Sequence, residues 1–161
     1  MKSALTIVAL LVTSYASAGQ PIPECMGHGT ALPVDNAEVI HWKESTANQT
    51  LERAHVQGTI DRLFPTEHGH NHFEIQIGPN ATDTLEVVYN ISFGALPQLK
   101  VGMSIEACGD YITSTHATSQ YPASPSGAII HWIHRSDTPK HDAGFLMINN
   151  ALYGQGHGSG S

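Results

Sequence analysis

From His55 onward, hydrophobic and polar residues alternate with a period of two. Val56, Gly58, Ile60, Arg62 and Phe64 fall on one side of an extended chain, and Gln57, Thr59 and Asp61 on the other. That alternation predicts a half-buried strand, which Pro65 ends. The same pattern returns three times. Phe73, Ile75 and Ile77 alternate with His72, Glu74 and Gln76. Leu85, Val87 and Tyr89 alternate with Glu86, Val88 and Asn90. Met103, Ile105, Ala107 and Tyr111 face away from Ser104, Glu106, Cys108 and Asp110. A fifth strand is predicted over 128–134, rich in β-branched and aromatic bulk at Ile129, Ile130, Trp132 and Ile133. Turn signals such as Gly78-Pro79-Asn80 separate these runs. Five short strands close together in sequence predict an all-β fold, a five-stranded OB-like or SH3-like barrel, with a small two-sheet sandwich as the competitor. A barrel of this size fills its interior with side chains, so a ligand binds on its outer face or between loops.

Outside the strands the pattern is less regular. Residues 19–34 carry Pro21, Pro23, Gly27, Gly29 and Pro33 and read as an extended arm. Asp35 with Glu38 resembles a capping box ahead of a short helix ending near Thr46. A Ser/Thr/Pro-rich loop spans 113–126, and an apolar segment at Phe145–Ile148 precedes Leu152 and Tyr153. The organisation predicted is a leader at 1–18, an arm with a helix at 19–52, the barrel at 53–153 and a flexible Gly/Ser tail at 154–161.

The leader reading rests on Lys2, the apolar run Ala4–Val12 and the small-residue site Ala16-Ser17-Ala18. The run is shorter than the roughly 20 residues a membrane span needs. The expectation is an exported product, periplasmic or extracellular, with no membrane insertion after cleavage. The formal charge is −7 over 161 residues, and removal of Lys2 makes it −8. The cations are scattered, so small molecules or metals are favoured over nucleic acid as partners. Cys25 and Cys108 in an exported chain suggest a disulfide closing a long loop; two separate thiols are the alternative.

Candidate chemistry concentrates in 127–145, where one strand and the following turn carry His131, His134, Asp137, His141 and Asp142. Eleven histidines is a high count, and histidine is the commonest metal ligand. His70, His131 and His141, from separate segments, are the candidate ligands of a divalent transition metal. His131, His141 and Asp110 are the candidate catalytic groups, and Asn90, Trp132 and His134 the candidate ligand-binding residues. A regular strand would send His131 and His134 to opposite faces, so they converge only if the strand bends or ends near Ile133. His68, His72 and His157 read as solvated. His131 is equally readable as a core histidine bonded to backbone, Asn90 as an ordinary strand-end amide, and Asp137 and Asp142 as a turn residue and a solvated charge.

The stretches His55-Val56-Gln57-Gly58-Thr59, His70-Asn71-His72-Phe73, Leu99-Lys100-Val101-Gly102, Gly109-Asp110-Tyr111, His131-Trp132-Ile133-His134 through Phe145, and Tyr153-Gly154-Gln155 carry a resemblance. Over about residues 53–155 the chain resembles the exported bacterial family catalogued as domain of unknown function 3465. Members often carry His-Gln at the place of His70-Asn71 and Glu at the place of Asp110, and the 113–126 loop is longer here. The resemblance implies a small exported β-barrel and a grouping of His70, Asn90, Asp110, His131, His134 and His141. It implies no activity. Three functions follow as expectations: a binding module whose His-rich patch takes a small ligand or transition metal, a metal-assisted hydrolase such as a phosphodiesterase, or a structural part with no active site.

Overall fold

The computed structural model describes residues 21–138 and 141–156. The expected leader lies outside the described residues, as does the end of the tail. In chain order the elements are β1 (Met26–Gly27), β2 (Thr30–Ala31), α1 (Asn36–Ser45), β3 (Leu51–Leu63), β4 (His70–Gln76), β5 (Thr84–Asn90), β6 (Ser104–Thr113), β7 (Ala128–His131), β8 (Phe145–Ile148) and β9 (Ala151–Tyr153). A 3-10 turn, Ile91–Phe93, follows β5.

Five of these strands close on themselves. The order is β3-β4-β5-β7-β6, and β6 pairs back onto β3. Every pairing in the ring is antiparallel except β5 with β7, where Glu86 meets Ile129 and Val87 meets Ile130 in parallel. Closure removes the edges that a two-sheet sandwich keeps, and a five-stranded closed barrel of this kind is OB-like. The inward residues Val56, Phe73, Ile75, Leu85, Val87, Tyr89, Ala107, Tyr111 and Ile130 are fully buried, so the lumen is packed core.

The helix forms where its cap predicts. The Asp35 carboxylate accepts from the Glu38 amide at 3.0 Å. Val39 is buried, Ile40 and Trp42 pack on the core, and the Trp42 ring lies 5.4 Å from that of Tyr111.

β6 is the strand on which the molecule turns. One edge pairs with β3 along nearly its whole length. The other edge is divided: Asp110–Thr113 pair with β7, and Ile105–Cys108 pair with β8. Gly109 sits at the point of division. The β8–β9 hairpin thus extends the sheet beyond the ring, and it gathers a second apolar cluster of Cys25, Cys108, Phe145 and Met147 on the outer side of β6. There Cys25 and Cys108 form a disulfide, 83 residues apart in sequence. In the chain-entropy model a loop of that length is stabilising by about 4 kcal/mol.

Several boundaries differ from the sequence reading. The arm holds a short hairpin, β1–β2, which Pro and Gly content alone does not predict. β3 begins at Leu51, because its first residues find partners on β6 as far as Ile112. The fifth strand ends at His131 and not His134. β5 is buried on both faces from Thr84 to Tyr89, although its sequence alternates. Gly154 and Gly156, expected in the flexible tail, are held: the Arg135 amide donates to the Gly154 carbonyl and the Gly156 amide to that of Phe93. Among the described residues no helix is long and apolar enough to cross a membrane.

Candidate functional site

β7 delivers His131 on the half-exposed side of the strand, opposite buried Ile130. The next residue leaves the sheet. Trp132 has φ of +54°, an unusual conformation for a bulky residue. The kink frees Trp132, Ile133 and His134 from strand alternation. Ile133 returns to the core, fully buried, and His134 is nearly buried.

Two glycines make room for this kinked segment. A Cβ on Gly109 would lie 2.3 Å from the His131 carbonyl oxygen and 2.5 Å from Ile133 Cγ2. A Cβ on Gly144 would lie 2.3 Å from the Trp132 carbonyl oxygen and 2.4 Å from that of Cys108. Only glycine permits backbone to approach so closely. The Gly144 amide also donates to the His134 carbonyl at 2.7 Å. The motif glycines and the His-Trp-x-His motif are therefore one packed unit.

The segment builds a wall of aromatic rings. The His131 ring centre lies 5.3 Å from that of His70 and 5.2 Å from that of Trp132. His72 follows His70 on the outward side of β4, at 6.3 Å. His141 stacks on Trp132 at 3.9 Å with ring planes 12° apart. His134 stacks on Phe93 at 3.5 Å. Rings from four separate stretches of chain meet here.

The polar contacts fix several ring tautomers. Nδ1 of His70 donates to the His68 carbonyl at 2.9 Å, and Nδ1 of His134 to the Arg135 carbonyl at 2.7 Å. Nδ1 of His72 faces Glu86 Oε1 at 2.8 Å, and Nδ1 of His141 faces Asp110 Oδ2 at 3.3 Å. A carbonyl or carboxylate oxygen only accepts, so Nδ1 carries the proton. In each neutral ring, Nε2 keeps its lone pair. His131 has no hydrogen-bond partner among the described residues, and no buried side-chain nitrogen or oxygen there lacks one, so its ring nitrogens face the solvent-accessible side. Burial first, then the neighbouring imidazoles of His70, His134, His72 and His141, pull the His131 pKa from 6.5 down to about 4. Burial also lowers that of His134, against the opposing effect of the Arg135 carbonyl.

Asp110 stands behind the wall. Arg53 Nη1 donates to Asp110 Oδ1 at 2.8 Å, both side chains being largely buried. The same guanidinium reaches the carbonyls of Met26 and Ala143. Arg53 thus ties arm, barrel and His141 support together, a role with no sequence signal beyond a lone cation on a strand.

The predicted site residues fall into two groups. His70, His131, Trp132 and His141 come together on the wall. Asn90 pairs with His70 across β4 and β5, and its side chain accepts from the Ser92 amide to cap the 3-10 turn. His134 is occupied by stacking and its carbonyl bond. Asp137 pairs with Arg135, and the Asp142 carboxylate accepts from the His28 amide at 3.3 Å. His72, read as solvated, is instead half-buried and bonded to Glu86; a charged partner 14 residues downstream on the next strand is invisible to local pattern. Phe93 and Glu86 were also without a signal. As the side chains stand, no three His, Cys, Asp or Glu among the described residues are grouped to hold a metal ion. A separate half-open cavity of about 280 Å³ lies between the arm, α1 and β3, lined by Leu32, Val39, Trp42 and Glu52 among others.

Fold and site together define a small closed OB-like barrel with a wall of imidazoles and one indole beside its shortest barrel strand. The chain belongs to the family described as Protein of unknown function (DUF3465), whose model matches residues 35–154. The match takes in α1 as well as the barrel and the hairpin that follows it. No curated protein and no solved structure matches this chain.

Proposed function

We propose that this protein is an exported, non-catalytic binding module whose ligand surface is the wall formed by His70, His131, Trp132 and His141. One observation carries the reading: a residue kinked to positive φ and two close-packed glycines hold rings from distant stretches side by side, with ring nitrogens that have no partner among the described residues. A core histidine has its nitrogens satisfied. Here the buried side-chain nitrogens are satisfied, while Nε2 of His70 and of His141 and both ring nitrogens of His131 have no hydrogen-bond partner among the described residues. Such a surface suits a ligand that brings hydrogen-bond donors or a Lewis acid, with a flat face for Trp132. Export is supported by the leader pattern and by a disulfide, which persists in oxidising compartments.

The test is a fragment and metal screen followed by amide and imidazole chemical shifts. Binding that perturbs residues 70–72, 90–94, 131–134 and 141, and that Trp132→Ala abolishes without unfolding, supports the reading. Ligands that map to the cavity beneath α1 and leave the wall unmoved would overturn it.

A further inference from the structure

We propose that the corner made by His70, His72 and His131 binds a guanidinium group, carried by a small free compound or by an arginine side chain of a peptide. The proposal rests on the binding reading above and narrows its ligand to one chemical class.

Acceptor character is the first argument. His70 Nδ1 donates to the His68 carbonyl and His72 Nδ1 to the Glu86 carboxylate. The single ring proton of each neutral imidazole is therefore in use, and Nε2 can only accept. His131 keeps a lone pair in either tautomer, and it stays neutral into the acid range. These remaining nitrogens have no partner among the described residues, and no buried side-chain nitrogen there lacks one, so solvent reaches them. An array of acceptors calls for a ligand made of donors. Guanidinium carries five N–H donors and no acceptor.

Spread is the second. The His70 ring centre lies 5.3 Å from that of His131 and 6.3 Å from that of His72. The rings do not close on one point, and no three His, Cys, Asp or Glu among the described residues are grouped to hold an ion. A planar fork needs no such convergence. Its N–H groups diverge, and with hydrogen bonds of about 3 Å they reach acceptors several ångströms apart. Guanidinium is also weakly hydrated and packs on aromatic rings, and Trp132 stands 5.2 Å from His131. An ammonium ion is compact and strongly hydrated, so it loses more water for fewer bonds.

Charge is the third. Glu86 is buried, and its contacts are the His72 ring and the Ser124 hydroxyl. Among the described residues no lysine or arginine pairs with it. Glu74, opposite Glu86 across β4 and β5, adds a second buried carboxylate, with Arg62 3.5 Å away. Asp110, by contrast, is matched by Arg53. The wall at His72 is thus backed by negative charge that a cationic ligand offsets, and the net charge of −7 draws cations to the molecule.

Acid opposes this ligand. Protonation turns Nε2 from acceptor to donor and adds a positive charge, while guanidinium stays charged throughout. The groups that titrate around the corner are the imidazoles of the wall and His134, with Glu86 and Asp110 behind them; Arg53 keeps its charge.

Tag-free protein lacking the leader is titrated with N-acetyl-arginine amide, its lysine counterpart, methylguanidinium chloride and sodium sulfate, following amide and imidazole chemical shifts near neutral pH. Capped arginine moves residues 70–72 and 131–132 and binds about 10-fold more tightly than capped lysine. His70→Phe and His131→Phe keep a ring and remove its acceptors; each weakens binding about 10-fold, as does Glu86→Gln. His116→Ala leaves it unchanged. Affinity falls as the pH is lowered from about 7.5 to about 5.5. Melting temperature and circular dichroism confirm that each variant folds. Methylguanidinium binding as tightly as capped arginine supports a free compound, and tighter binding of capped arginine supports a peptide side chain. Equal affinity for arginine and lysine overturns the proposal. So does tightening in acid, a preference for sulfate, or binding that survives both phenylalanine variants. If no guanidinium probe binds while other fragments still map to the wall, the ligand class is refuted and the binding module stands. If neither maps there, both fall.

Discussion

His55 and His131 both stand on outward positions of barrel strands, and their surroundings are opposites. His55 sits under the N-terminal arm. Its Nδ1 meets the Leu32 carbonyl at 2.8 Å, its Nε2 meets Glu106 at 2.9 Å, and its ring edge rests on Phe145. His131 sits on the open wall with other imidazoles and an indole around it and no hydrogen-bond partner among the described residues. One is a fastener and the other is a half-buried ring that nothing among the described residues fastens. Histidine count draws attention to both alike; what separates them is how many ring nitrogens the fold already uses.

The contrast is sharpest where the fastened side is undone. Replacing Cys25 and Cys108 together by serine removes the staple beside His55 and lowers unfolding free energy by about 4 kcal/mol. Denaturant titration measures it, and the ring contacts at His70, His72 and His131 persist in the folded fraction. If those imidazole signals move as much as those of His55, the two regions are not separate.

Gly144→Ala comes next, at roughly 3 kcal/mol, because its methyl would meet two backbone oxygens that cannot swing away. This variant breaks the wall itself: Trp132 fluorescence changes in a Trp42→Phe background, whereas His55 keeps both its bonds. Unchanged Trp132 emission would refute the packing described for the motif.

Acid supplies the third test. Folded His131 has a pKa of about 4 against 6.5 in the unfolded chain. The unfolded state therefore takes up the proton first, and stability present above pH 6.5 is lost as the pH falls toward 4. The loss is roughly 2–3 kcal/mol. His131→Asn flattens that part of the curve, and a slope unchanged by the substitution would assign the acid sensitivity to other groups. The smallest effect is His55→Ala, about 1–2 kcal/mol from two lost hydrogen bonds, with no change in what the wall binds.

The ring of strands was legible because inward positions recur with period two: Phe73 and Ile75, or Ala107 and Tyr111, are buried together, and a slip of one residue would turn them to water. The helix was legible through a local signal, the Asp35 cap. The disulfide was half legible: pairing was suggested, but Cys108 shares its face with Ser104 and Glu106, and only the returning β8 explains why that face is covered. The wall was legible as a place, through the density around His131, and illegible as a geometry. The positive φ at Trp132 accompanies a close approach of its segment to Gly109 and Gly144, strands and turns away in the sequence, and no local propensity encodes it. His72 was missed for the related reason that its partner, Glu86, reaches it only through strand pairing.

Glu86 has one oxygen on an imidazole of β4 and the other on Ser124, inside the irregular stretch between β6 and β7. Ser126 of the same stretch grips Glu74 one position further along the sheet, at 2.6 Å. Glu86 therefore ties the stretch to the wall, while Glu74 ties it to Arg62 on β3. Lengthening, shortening or rewriting it retunes the basicity and aim of His72 without touching a single ring, which gives evolution, or an engineer, a dial set well away from the surface it adjusts.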